Sequence, residues 1–233
     1  MMSENNEMAS SDRQWSRIGR IGGMAAFAML AIMIAQIVIF IIWPPPATVE
    51  GFFQLFQSNK LLGLLSMDLL YIANNTLLIL FYLGLFSALK NNNFSAVLIA
   101  LVLGVVGVAA YYASNTAFEM LSLSNLFAAA GDETQRTMLL AAGQSMLEVY
   151  KGTAFDTYYV LNGIALLIFA FVALKSRIFS KTTAWFGLAA GILMSIPSSA
   201  GRLGLVFSLL SLIPWAVFSI MAAVRLLRLS ARE

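Results

Sequence analysis

Six apolar stretches separated by short polar ones run through the chain, at residues 18–43, 61–89, 94–121, 153–174, 183–196 and 203–227. A hydrocarbon core of roughly 30 Å takes about 20 apolar residues per helix. Lipid offers the backbone no hydrogen-bond partner, so only helices and closed barrels cross it. The pattern therefore predicts an all-α, polytopic integral membrane protein. Its six transmembrane helices form a single domain over residues 18–228. Residues 1–17, with Glu4, Glu7, Asp12, Arg13 and Arg17, read as a disordered cytoplasmic tail, and residues 229–233 as a second tail. The first stretch is longer than a signal-peptide core and is followed by Trp43-Pro44-Pro45-Pro46 rather than a small-residue cleavage site, so it reads as a retained span.

The polar intervals carry elements of their own. Phe52, Phe53, Leu55 and Phe56 recur at helical spacing and predict a short interfacial helix over residues 50–60. Lys90-Asn91-Asn92-Asn93 is a tight turn. Residues 122–151 form the one long outer loop. Within it, Asp132 and Gln135 resemble a capping pair, and Met138, Ala142, Met146 and Val149 share one face of a short amphipathic helix. The fifth stretch is the shortest and ends at Pro197. The sixth contains Pro214, which frees the carbonyl of Leu210 and predicts a kink.

Charge orients this architecture. With the N-terminus inside, Arg13, Arg17, Arg20, Lys90, Lys175, Arg177, Lys181, Arg225, Arg228 and Arg232 are cytoplasmic, and only Lys60, Arg136, Lys151 and Arg202 lie outside. The positive-inside rule then predicts a plasma-membrane protein with both termini cytoplasmic. The net charge of +3 reflects these flanking residues. No basic run carries the interleaved aromatics of a nucleic-acid surface. The chain has neither Cys nor His. Thiol chemistry is excluded, and the commonest metal ligand and general base is missing. No cofactor is expected.

The candidate chemistry lies in acids at similar depth on three spans. Asp68 sits in the second span, near the bilayer midplane by its position, with Tyr71 and Asn75 three and seven residues later. An acid at a helix centre costs about 2.5–3.5 kcal/mol on insertion scales. Glu119 ends the third span, with Asn115 and Tyr112 preceding it on the same face. Asp156 opens the fourth span and Tyr159 follows by three. Arg202, at the start of the sixth span, is the available counter-charge, and a link between it and Asp68 is expected. One reading makes these groups hydrogen-bonded glue between helices, at about 0.6 kcal/mol per contact. The other makes Asp68, Tyr71, Asn75, Tyr112, Asn115, Glu119, Asp156, Tyr159 and Arg202 an outward-facing polar pocket for a small molecule or lipid. A membrane enzyme acting on a lipid-linked substrate, with Asp68 or Glu119 as base, and a small transporter are the alternatives. No nucleophile or metal motif accompanies the acids.

Two small-xxx-small pairs, Gly19/Gly23 and Gly187/Gly191, suit close helix packing, within the bundle or across a homo-oligomer. The run TAFDTYYVLNGIALLIFAFVALKSRIFSKTTAWFGLAAGILMSIP from Thr153 to Pro197, with the later LVFSLLSLIPWAVFSIMAAVRLL, resembles bacterial six-span proteins of the domain of unknown function 4386 family. The resemblance implies a prokaryotic cytoplasmic-membrane protein and brings no catalytic residue with it.

Overall fold

The computed structural model describes residues 2–197 and 199–231, with side chains from Gln14 onward. All regular structure among them is helical: α1 (Met2–Ile42), α2 (Val49–Ser58), α3 (Lys60–Ser66), α4 (Leu69–Leu89), α5 (Phe94–Ser114), α6 (Ala117–Ala129), α7 (Glu133–Tyr150), α8 (Thr153–Lys175), α9 (Lys181–Leu193) and α10 (Gly201–Ser230). They divide into a bundle of six, α1, α4, α5, α8, α9 and α10, and a cap of four, α2, α3, α6 and α7. Each layer has its own apolar core, centred on Phe81, Tyr82, Phe169 and Phe218 in the bundle and on Phe52, Phe53, Phe56 and Met120 in the cap.

The bundle helices follow from composition. α4 and α5 have 21 residues and α8 has 23. At 1.5 Å per residue each is about 31–35 Å long, enough for the hydrocarbon core. Large apolar side chains on their outer faces stay exposed, among them Ile34, Val106, Leu209 and Ile213. Such a surface suits lipid and would be an aggregation liability in water. Glycines set the closest approach: the Cα atoms of Gly22 and Gly84 meet where α1 crosses α4, and a Cβ on Gly22 would stand 2.7 Å from Gly84 Cα. Gly19 and Gly23 face α4 and α10, and Gly187 and Gly191 face α8 and α10, so both small-residue pairs pack within the chain.

Among the described residues, five helical stretches are long and apolar enough to cross a membrane. The expected fifth span is the exception. α9 has 13 residues, about 20 Å, which is short of a full crossing. It packs between α8 and α10 and ends where Gly163, midway along α8, meets the carbonyls of Gly191 and Met194.

Other boundaries differ from expectation as well. The second stretch breaks at Met67–Asp68 into α3 and α4, and the third breaks at Asn115–Thr116 into α5 and α6. Asp68 therefore stands at the end of a helix that already spans about 31 Å, not at its midplane. The 50–60 helix exists as α2, N-capped by Thr48, and it buries its phenylalanines under α6 and α7. α7 forms where expected, with Asp132 accepting from Gln135 N at 2.8 Å. It is rotated from the expected face: Gly143 and Leu147 are buried, whereas Met138 and Val149 are exposed. The polar residues expected as an N-terminal tail continue α1, and α10 runs to Ser230 through the start of the C-terminal one. Arg232 and Glu233 lie outside the described residues, as does Ser198.

The starts and ends of the helices define two faces. At one, Ser230 Oγ donates to Ser16 O at 2.8 Å, Lys90 Nζ lies 3.5 Å from the Trp15 ring centroid, and Arg225 Nε donates to Ile178 O at 2.5 Å. Trp15 and Ser16 of α1 and the end of α10 thus share this basic face. The cap covers the opposite face.

Candidate functional site

The break between α3 and α4 organises the site. Asp68 has φ 59°, ψ 31°, the left-handed region, and is the one non-glycine residue with positive φ among those described. Asp and Asn tolerate this conformation better than other side chains because they are short and polar. The turn ends α3, with Asp68 N donating to Leu65 O at 3.2 Å, and starts α4, with Tyr71 N donating to Asp68 O at 2.9 Å. A break among apolar helices frees carbonyls that need new donors. Side chains from other helices supply them. Gln36 Nε2 on α1 donates to Leu65 O at 3.0 Å, Asn115 Nδ2 donates to Met67 O at 3.0 Å, and Tyr111 Oη reaches Asp68 O at 3.4 Å.

The Asp68 carboxylate takes its hydrogen bond from the cap. Tyr150 Oη, at the end of α7, donates to Oδ2. Tyr71, Tyr111 and Tyr159 are also close enough to interact with it electrostatically. Below lies a cavity of about 240 Å³, bounded by α1, α4, α8, α10 and the end of α9. It follows α4 from Asp68 past Tyr71, Asn74 and Leu78 to Tyr82. Tyr111, Phe155, Tyr158 and Tyr159 wall it on the α5 and α8 side, and Ser211 and Trp215 on the α10 side. Met194, just past the end of α9, closes part of the wall.

Polar groups inside the bundle are unevenly satisfied. Tyr82 Oη donates to Asn162 Oδ1 at 2.9 Å, which links α4 to α8. Asn74, 7 % exposed, has no hydrogen-bond partner for Oδ1, and it lines the cavity. A buried unpaired acceptor costs about 1–3 kcal/mol, so this one is a place for a donor.

The nine residues expected to converge separate into four groups. Asp68, Tyr71 and Tyr159 line the cavity. Asn115 is near it but braces the Met67 carbonyl. Asn75 is fully buried on the neighbouring face of α4. The other four lie elsewhere. Tyr112 is on the outer face of α5, bonded to Thr76 at 2.8 Å, and Glu119 is exposed on α6. Asp156 accepts from Ser199 Oγ, and Arg202 is exposed at the start of α10. The partner of Asp68 is Tyr150, not Arg202.

Tyr112 and Glu119 would share a face only on one continuous helix. The bend at Asn115, with ψ 113°, rotates everything after it, so the register does not carry across. Sequence reasoning missed Tyr150, Tyr111, Tyr158 and Asn74. The pairs Tyr111-Tyr112, Tyr158-Tyr159 and Asn74-Asn75 mark the level, but only packing decides that Tyr111 and Asn74 line the cavity without their neighbours while Tyr158 and Tyr159 both do. Among the described residues no three acidic side chains converge. Compared with protein-family models, curated proteins and solved structures, the chain matches none.

Proposed function

We propose that this chain is a six-pass protein of a prokaryotic cytoplasmic membrane that binds a small molecule or a lipid chain in the cavity below Asp68, from the outer side. The observation that carries this reading is the cavity itself, a mostly apolar space with Asp68, Asn74 and several tyrosines in its lining. Ligand sites commonly have this composition, mostly apolar with a few convergent polar groups.

The orientation rests on charge. Arg17 and Arg20 on α1, Lys90, Lys175, Arg177 and Lys181 at the turns, and Arg225 and Arg228 near the end of α10 belong to the basic face, which the positive-inside rule makes cytoplasmic. Asp68 and the cap then look outward. The fifth pass is α9 followed by residues outside any helix, 194–197 and 199–200, with Ser199 beside Asp156 in the first turn of α8. Non-helical backbone at membrane depth is tolerated where it lines a cavity. The resemblance to the domain of unknown function 4386 family supports the same membrane and span number. A second reading, a small transporter, draws on the broken helix at Met67–Asp68 and the short α9, since discontinuous helices surround many transport sites. The enzyme reading has less support, because Glu119 is exposed away from the cavity.

The chain has no cysteine, so single introduced thiols report cleanly. In right-side-out vesicles, Ser199→Cys should react with a membrane-impermeant maleimide, and Asn91→Cys only after permeabilisation. The reverse pattern would refute the orientation. Native mass spectrometry of the purified protein should detect a bound small molecule or lipid that is lost in Leu78→Trp, which fills the cavity. An adduct equally abundant in that variant rules the cavity out as its site.

A further inference from the structure

We infer that the cavity is built for a small organic cation, an amine carried on an apolar body; the inference rests on the binding role proposed above. The one ionisable carboxyl in the lining is Asp68, and a carboxylate only accepts hydrogen bonds. Asp68 spends one oxygen on Tyr150, and a carboxylate has about four acceptor positions. Asn74 Oδ1 has no partner. A ligand that completes these atoms must donate hydrogen bonds.

Charge points the same way. No Lys or Arg lines the cavity, and Arg202 is exposed elsewhere. A carboxylate facing a largely apolar space is therefore unmatched from within the protein, and an ammonium would match it. A hard metal ion fits poorly, since calcium takes about six to eight oxygens and no three acids converge among the described residues.

The walls supply the third argument. Tyr111 and Tyr158 have ring centroids 5.0 Å apart, and Phe155 and Tyr159 5.4 Å. Tyr158 and Tyr159 stand at 87° to each other, so ring faces are offered in more than one direction. Aromatic faces attract cations through the ring quadrupole, more strongly when desolvated. Towards the basic face the lining turns to Met29, Leu78 and Trp215, which suits an apolar body. The volume of about 240 Å³ encloses roughly one ring or the first few methylenes of a longer chain.

The test uses the full chain in lipid nanodiscs and three probes of one shape: 2-phenylethylammonium, 2-phenylethanol and 3-phenylpropanoate. Affinity is read by thermal shift and by Trp fluorescence. The ammonium should bind about tenfold or more tightly than the alcohol, the factor expected of a charge-assisted hydrogen bond. The carboxylate should be weakest. Asp68→Asn, which suits the left-handed turn, should bring the ammonium's affinity down to the level of the alcohol's. Tyr159→Leu keeps the carboxylate and removes a wall, so it should weaken the ammonium more than the alcohol. A free amine and a single-chain lipid amine share this chemistry. Dodecylammonium against dodecanol, measured alongside, separates the sources, and the cation should win in both pairs. Equal binding of ammonium and alcohol to the unaltered protein overturns the cation inference while leaving the cavity a ligand site. No binding by any probe overturns both.

Discussion

Tyr150→Phe isolates the contact that joins cap to bundle. The variant keeps the ring in the cap core and deletes the hydroxyl that donates to Asp68 Oδ2. A hydrogen bond to a charged group contributes about 1.5–3 kcal/mol, a neutral one about 0.5–1.5 kcal/mol. The loss should therefore be near the larger range against the native carboxylate. In an Asp68→Asn background it should drop to the smaller range. Asn accepts the left-handed backbone at position 68, so the cycle is not confounded by the turn. The coupling energy should be about 1 kcal/mol or more. For a chain of this size 1 kcal/mol moves the melting temperature by about 2–4 °C, so Tyr150→Phe alone should lower it by roughly 3–12 °C. Intrinsic tryptophan fluorescence on heating in detergent reads the shift, and hydrogen exchange locates it. Exchange should quicken in α7 and α2 and stay unchanged in the middle of α5 and α8. Losses additive to within about 0.3–0.5 kcal/mol would mean that the two side chains are energetically independent, and the cap would then be held by its apolar contacts alone.

Two further outcomes follow from the same geometry. Gly104→Ala puts a Cβ 2.4 Å from Tyr82 Cε2 and should cost about 1–3 kcal/mol by displacing the ring that bonds Asn162, whereas Gly131→Ala, with nothing within 4 Å, should melt like the parent. Asn115→Ala strips the Met67 carbonyl of its donor and should cost about 1–3 kcal/mol, while Glu119→Gln and Arg202→Gln, both exposed, should stay within about 0.5 kcal/mol in the same melting assay. A large loss in Arg202→Gln would revive a link to Asp68.

Some of this protein is written locally. α4, α5, α8 and α10 follow from apolar runs, because a chain in lipid must satisfy its backbone within the segment. The start of α7 follows from Asp132, whose carboxylate caps its own helix three residues on. The importance of Asp68 is also legible, since an acid in such a run is costly wherever it lands. The site is decided by tertiary structure. The helix breaks at Asp68 because Gln36, Tyr111 and Asn115, 29 to 48 residues from the carbonyls they serve, supply the donors. No local pattern announces those partners. Packing likewise sets Tyr111 and Asn74 into the cavity lining, while Tyr112 lies on the outer face of α5 and Asn75 is buried on the neighbouring face of α4. The rotation of α7 that brings Tyr150 to Asp68 depends on Gly143 nesting against Val49 and Phe53, with a Cβ there only 2.4 Å from Val49 Cγ1. Apolar length is a property of one segment. A break, a face and a cavity are properties of several packed together.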